Sequence, residues 1–380
     1  MRNRSTVGRS IGNGLLYLCL GCMFLFGQEW KAAMPGFRFE FPRDHFSHLE
    51  YQTEWWYYTG NLRAADGHRY GFELTFFRQS EHLPPEAAQT EDAKWRPEQV
   101  YLAHLALSDI DGKSFYHTER LNRAGPGLAG AGFSDGQYWN GNWQVRWTEL
   151  PGEQQELSAV CDRFKLRATL EPLKPPVIQG QNGVSQKGPA PGQASHYISF
   201  TRLQAEGELT EKGSTVQVQG LAWMDHEFFT EPASSNLSGW DWFAIQLDNK
   251  QELMLYRLRD RSGMADPYSS GAYIDSRGKI RFLSDEEFAL TPGELWRSPH
   301  SGADYPVSWR ISVPSLAINL VEEAKLKDQE LWSRDSTAPS YWEGAVTYKG
   351  QAGGAPIQGI GYLEMTGYSG AVKLGGMTQK

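Results

Sequence analysis

Two stretches decide the fold: Glu54-Trp55-Trp56-Tyr57-Tyr58-Thr59-Gly60-Asn61-Leu62, and its echo in the second half of the chain, Gly239-Trp240-Asp241-Trp242-Phe243-Ala244-Ile245-Gln246-Leu247. Each is rich in aromatic and β-branched residues, and each runs into a polar turn (Asp66-Gly67; Asp248-Asn249) and then a strongly apolar strand, Tyr70–Arg78 or Glu252–Arg259. A second echo links the hairpin at Asp109–Lys113 with Ile274–Ile280. A third links Gln219-Gly220-Leu221-Ala222-Trp223-Met224-Asp225 with Gln358-Gly359-Ile360-Gly361-Tyr362-Leu363-Glu364. Three echoes in one order indicate two copies of a single β unit. The first copy is the longer, and its surplus lies in Pro/Gly/polar stretches around 80–98, 122–140 and 171–195, read as long loops at one barrel rim. Pro232 to Ser238 reads as the linker.

Working outward, no window from Phe37 onward carries a long amphipathic helical period. Short alternating runs recur instead. Leu102, His104, Ala106 and Ser108 take one face of a strand, and Tyr101, Ala103, Leu105 and Leu107 take the other. The 380 residues are 40% hydrophobic and 22% charged, the composition of a globular chain of about two domains. With 14 Trp, 17 Tyr and 18 Phe, rings are in excess, which suits sheet cores and apolar ligand sites. Lys+Arg 37 against Asp+Glu 45 gives −8, so no cationic surface points to a nucleic-acid partner. Cys19 and Cys22 lie in the N-terminal apolar stretch, leaving Cys161 alone in the body of the chain and no internal disulfide there.

Residues 1–27 read as a targeting leader. Arg2, Arg4 and Arg9 precede an apolar run from Leu15 to Phe26 that is short for a membrane span. Leu20-Gly21-Cys22 is similar to the end of a bacterial lipobox, which implies acylation at Cys22, with simple cleavage or an uncleaved anchor as alternatives. In each case the protein is exported, either periplasmic and held at a membrane or secreted. The expected organisation is a leader over 1–27, a first barrel domain over 37–232 and a second over 233–380.

Phe41-Pro42-Arg43-Asp44-His45, Glu54–Leu62, Trp223-Met224-Asp225-His226-Glu227, Gly239–Phe243 and Gly361–Tyr368 together resemble the AttH-like, or carotenoid 1,2-hydratase-like, family, over nearly all of the chain after the leader. The resemblance implies an all-β calycin fold of two tandem lipocalin-like barrels, the first enlarged by long loops. It also implies carotenoid hydratases, relatives with other terpenoid or pericyclic chemistry, and secreted members described only as hydrolases. The Trp near the start of each unit is similar to the lipocalin Gly-x-Trp signature.

Asp225 is the sharpest candidate. Period-two alternation puts Trp223, Asp225 and Glu227 on one strand face, with Met224 and His226 on the other. A carboxyl beside an indole, in a barrel or an interdomain cleft, is desolvated and its pKa rises. Such a neutral acid protonates an alkene carbon, and ring faces hold the resulting cation. The resemblance extends the catalytic set to His196, orienting water, with Trp223 and Tyr197 stabilising the cation. His104, Trp55, Tyr57, Trp240, Trp242 and His226 are expected to line the ligand. The competing account makes Asp225 and His226 a structural network between the barrels. Phe229, where the family pattern has Gly, narrows the approach to Asp225. Glu54 is expected to partner an arginine at the barrel base. Glu364, the repeat equivalent of Asp225, reads as structural because Thr366, Gly367 and Tyr368 follow as a turn.

No metal or cofactor is expected. Asp44-His45-Phe46-Ser47-His48 and Asp225-His226-Glu227 supply ligand types without ligand spacing. Gly132-Phe133-Ser134-Asp135-Gly136 spells Gly-x-Ser-x-Gly but lies between short strand-like runs, without the helix that makes the pattern a nucleophile elbow, so no residues support a hydrolase, and the chain has no nucleotide loop. Two readings remain. One is a non-catalytic carrier or envelope factor for an elongated isoprenoid or lipid-like molecule, favoured by export because carotenoid-making enzymes work on the cytoplasmic side. The other is a hydratase or isomerase acting on a C=C bond with Asp225 as its acid.

Overall fold

The computed structural model describes residues 30–80, 99–149, 153–230, 236–332 and 340–370. The leader with Cys22, the loop 81–98 and most of the expected linker lie outside the described residues. Two antiparallel sheets carry the chain. In the first, Thr53–Ala64, Arg69–Ser80, Gln99–Asp109 and Ser114–Arg123 form a meander. On the other flank of Thr53–Ala64 lie Ser214–Phe229, Ala194–Glu211, Phe164–Pro172, Gln154–Val160, Trp143–Glu149, Gln137–Asn140 and Ala129–Gly132, in that order. The two ends curl together. The Asn140 amide donates to the carbonyls of Tyr101 (3.0 Å) and Arg120 (3.1 Å), so the barrel is nearly closed.

The second sheet is a half-barrel. Leu237–Leu247 is flanked by Glu252–Asp260, Ser270–Ile274 and Ile280–Ser284 on one side. On the other side come Ala355–Met365, Tyr341–Ala352, Ile318–Glu323, Ser308–Val313 and Ala289–Pro292. The duplication is visible in the register. Tyr57 pairs with Asp225 across the first unit's opening and closing strands, and Trp242 pairs with Glu364 across the second's.

Two of the expected rim loops prove to be something else. The 122–140 stretch forms the strands Ala129–Gly132 and Gln137–Asn140 that close the first barrel. The 171–195 stretch contributes Val177–Ile178 and Ser185–Gln186, both paired with Ala194–Glu211. Ahead of these strands it reaches across to the second sheet: the Lys174 ammonium donates to Glu252 (2.5 Å), to the Lys250 carbonyl (2.6 Å) and to the Asp275 carbonyl (2.7 Å).

Each barrel interior is filled by its own side chains. Trp56, Tyr58, Phe72, Phe76, Tyr138, Trp143 and Trp147 occupy the first, and Phe243, Trp309, Trp342 and Tyr348 the second. The first-barrel interior is therefore not the ligand chamber that small barrels often enclose. The outer face of one sheet packs instead on the outer face of the other, burying Tyr57, Tyr197, Trp223, Trp242, Tyr256 and Tyr362 between them. Covered on both faces, the strand Arg69–Ser80 is buried along nearly its whole length, although Glu73 and Thr75 alternate with Phe72, Leu74 and Phe76. The approach is close at Gly71, where a Cβ would stand 2.6 Å from the Ala345 Cβ.

Candidate functional site between the barrels

Alternation on Ser214–Phe229 sends Met224, His226 and Phe228 inward and Trp223, Asp225 and Glu227 outward, toward the second barrel. Asp225 is only 3% exposed. Its Oδ1 accepts from the Ser199 hydroxyl (2.5 Å) and the Trp223 indole (2.8 Å), and its Oδ2 accepts from the Tyr197 hydroxyl (2.5 Å). No arginine or lysine pairs with it among the described residues. Burial pushes the carboxyl up to about 7 against the pull of these three neutral donors, with the nearby Glu227 adding a smaller upward push. Tyr197 in turn accepts from the Trp242 indole of the second barrel (3.1 Å), so the acid's setting is completed across the interface.

Ring neighbours surround this centre. Trp242 meets Trp223 edge to face (6.1 Å between centroids) and Tyr57 likewise (5.2 Å). Trp55 and Trp240 pack on the same cluster and stay half-buried, and so does Glu364. Lys187, from the 171–195 strap, lies over the rings of Tyr256 (4.0 Å) and Tyr197 (5.3 Å) and pairs with Glu227 (3.6 Å), which also accepts from Ser195. Burial opposes the charge on Lys187, but Glu227 outweighs it and holds the ammonium's pKa up.

The interface holds more acid than the sequence reading assigned to it. Tyr57 donates to Glu343 (2.6 Å), Thr75 to Glu73 (2.6 Å), and the Tyr341 hydroxyl bridges Glu73 (3.3 Å) and the His104 Nδ1 (2.7 Å). One oxygen of Glu73 and one of Glu343 have no hydrogen-bond partner. Burial raises all of these carboxyls: Glu73 to about 7, Glu364 to about 8, and Glu343 well above its ordinary value. Ser199 was findable, two residues after Tyr197 on the same strand face. Glu73 and Glu343 were not, because nothing local shows which outer face another barrel covers.

Of the predicted set, the structure brings together Asp225, Trp223, Tyr197, Tyr57, Trp242, Trp55 and Trp240. His104 faces the same interface, farther along at Tyr341. His196 and His226 do not join. His196 points to the opposite face of its strand, its ring against Phe37 (4.2 Å) and Phe228 (5.0 Å) and its Nδ1 on the Gly183 carbonyl (2.7 Å). Adjacent to Tyr197, it has to face away from Asp225, so it cannot orient water there. Burial pushes it down to about 4.

His226 lies inside the first barrel, stacked on Trp56, with its Nε2 on Glu54 (2.8 Å). Glu54 also takes the His48 Nδ1 (2.9 Å) and, as expected, an arginine: Arg78 Nε (2.9 Å). One histidine from each of the two motifs that supplied ligand types, His48 and His226, thus meets Glu54 of the opening strand, their nearest ligand atoms within 4.8 Å of one another. The carboxylate is already shared among two imidazoles, the guanidinium and the His48 backbone N–H. Burial opposes its charge, but Arg78 and the two histidines outweigh it and hold Glu54 far below the usual range. This is a charge-paired closure of the barrel end.

A separate open groove of about 830 Å³ lies farther along the same interface, lined by Arg63, Tyr70, Arg202 and Lys349 among others; Asp225 is not among its lining residues.

The comparisons with known proteins agree with this architecture. The family model described as AttH-like matches residues 32–368. The crystal structure of an AttH-type protein from Nitrosomonas europaea is 33% identical, with a TM-score of 0.79 over 89% of this chain and 99% of that one. Among curated proteins, the dehydratase asqC of Emericella nidulans is 20% identical over 269 residues, 69% of this chain and 74% of that protein. Kievitone hydratase of Fusarium solani subsp. phaseoli is 22% identical over 223 residues, 56% of this chain and 59% of that protein. With two copies of one β unit and a family match over residues 32–368, the chain belongs to the AttH-like family.

Proposed function

We propose that this protein is a hydratase or dehydratase, adding water to or removing it from a C=C bond of a largely apolar, isoprenoid-like molecule held between the two barrels. The observation that carries this reading is a buried carboxyl, Asp225, raised to about 7, held by Tyr197, Ser199 and Trp223 alone and ringed by Trp242 and Tyr57. A carboxyl poised near neutrality gives a proton to carbon in one direction and takes it back in the other. The cation formed on the way is stabilised by the faces of Trp223, Trp242 and Tyr197. Relatives named as a hydratase and a dehydratase support the enzyme reading over the carrier that the leader favoured. Export, and anchoring through an acylated Cys22, belong to the same proposal.

The test uses kievitone and an acyclic carotenoid as probes, with purified full-length protein in ¹⁸O-water. Wild-type protein is expected to yield a product heavier by one labelled water from one of them, and Asp225→Asn is expected to yield none while binding the probe equally well. Binding of both probes with no product from either would return the protein to the carrier reading.

A further inference from the structure

We infer that Glu364 is a second catalytic residue of this centre, the group that takes a proton from the incoming water or gives it to the departing hydroxyl while Asp225 serves carbon. This rests on the hydratase reading and assigns the group that His196 leaves vacant. Four observations carry it.

First, Glu364 is the copy of Asp225. Each carboxyl sits on the closing strand of its unit, opposite a ring on the opening strand: Tyr57 for Asp225 and Trp242 for Glu364. Packing the two outer faces together puts both carboxyls in one interface, and Asp225 and Glu227 are close enough for their charges to act on Glu364. Second, the hydrogen bonding is unequal. Asp225 is taken up by three protein donors, whereas Glu364 has the Trp240 indole as its side-chain donor. Spare acceptor capacity is what a group that must receive a water proton requires.

Third, Glu364 keeps part of its surface accessible, as Trp240 does, while Asp225 is only 3% exposed among rings. Fourth, the carboxyl on the strand beside it is underused. Glu343, opposite Glu364 in register and 1% exposed, holds the Tyr57 hydroxyl with one oxygen and has nothing on the other. That oxygen is free, among the described residues, to bond a polar group entering beside Glu364.

The step balances. In hydration the Asp225 O–H proton forms the new C–H bond and the alkene π pair is consumed. A water oxygen then bonds to the cationic carbon, and its surplus proton goes to the Glu364 carboxylate. The two carboxyls finish with exchanged protonation and are reset through solvent. Dehydration runs the same transfers backwards: Glu364 protonates the leaving hydroxyl and Asp225 takes the proton from carbon.

Two measurements test this on the full-length chain. The first needs no substrate: infrared titration of the protonated-carboxyl bands in wild-type, Asp225→Asn and Glu364→Gln proteins. The groups facing Glu364 are Glu343, Glu73, Tyr57, Tyr341, Asp225 and Glu227, the last paired with Lys187, so the band is assigned by its loss in Glu364→Gln. Its midpoint is expected to fall in Asp225→Asn because a like charge is gone; an unmoved midpoint would show that the two acids share no gap, overturning the pairing. The second is turnover of kievitone in ¹⁸O-water. Glu364→Gln is expected to lower kcat by about 10²–10⁴-fold with KM little changed, and Glu364→Asp to recover part of it. Wild-type rates in Glu364→Gln would overturn this assignment and leave the hydratase reading intact. An inert wild-type protein would count against the hydratase reading, and the infrared result then decides the pairing alone.

Discussion

Asp225 shows how a single residue acquires its chemistry from what surrounds it. The same aspartate on an open strand would ionise near 3.8; here burial holds the proton to about 7. Hydration needs Asp225 protonated, so kcat/KM for hydration is expected to fall as pH rises through about 7; dehydration needs its carboxylate together with protonated Glu364, so it is expected to rise through about 7 and to fall again through about 8. Tyr197→Phe removes a donor that favours the carboxylate. The hydration limb should therefore move to higher pH, and a shift to lower pH would show that Tyr197 does not bond the carboxylate in solution. Stability carries the same sign. The cost of burying Asp225 is absent below its unfolded value near 3.8, grows as pH rises and is complete above about 7. Asp225→Asn is thus expected to gain in Tm relative to wild type at pH 8 compared with pH 5.

At the scale of elements, the opening strand Thr53–Ala64 serves two masters. Its inward residues Trp56 and Tyr58 build the first core, and its outward Tyr57 and Asn61 meet the second barrel, Asn61 donating to the Gly361 carbonyl (3.0 Å). Glu54 anchors this strand through Arg78, which also donates to the carbonyls of His48 (2.9 Å) and Tyr51 (2.8 Å). Arg78→Met leaves a buried carboxylate without its cation, so chemical denaturation should show a loss of about 3–5 kcal/mol. The strand Ile318–Glu323 carries the opposite case. Glu322 turns into the second core, fully buried, with neither carboxyl oxygen bonded by a side chain, and burial raises its pKa strongly. Glu322→Gln is expected to raise Tm at pH 8 and to change it less at pH 5; a lower Tm at pH 8 would reveal a partner for the carboxylate.

At the scale of the molecule, the site exists only because two copies of one unit lie face to face. Gln246 donates to the carbonyls of Thr201 and Ala222 (2.9 Å each), and Arg202 joins Lys174 on Glu252 (2.5 Å). Donors from each barrel thus fix the separation at which Trp242 reaches Tyr197. Gly71→Ala places a methyl where Ala345 already stands, so the barrels must part slightly. A loss of about 1–3 kcal/mol is expected, with faster hydrogen exchange on Leu237–Leu247. Unchanged exchange would mean the contact yields without moving the barrels.

The duplication, the all-β class and the sharing of one strand face by Asp225 and Trp223 were legible in the sequence, because strand periodicity and turn chemistry are local and repeat visibly; whether that face lay inside a barrel or between the barrels was not. The packing of Glu54 with an arginine was equally readable as a buried acid in a ring-rich strand. What only the tertiary structure decided is which outer faces meet. Alternation says that Glu73, Glu343 and Glu364 share a face with rings, but it does not say whether water or another barrel covers that face. The stacking of the two sheets desolvates those carboxyls and sets Asp225 opposite the second unit, while alternation along each strand turns His196 and His226 to the other face and to separate structural tasks. Desolvation is a property of the assembled interface, so the proton affinities on which the chemistry depends arise only when the barrels close on each other.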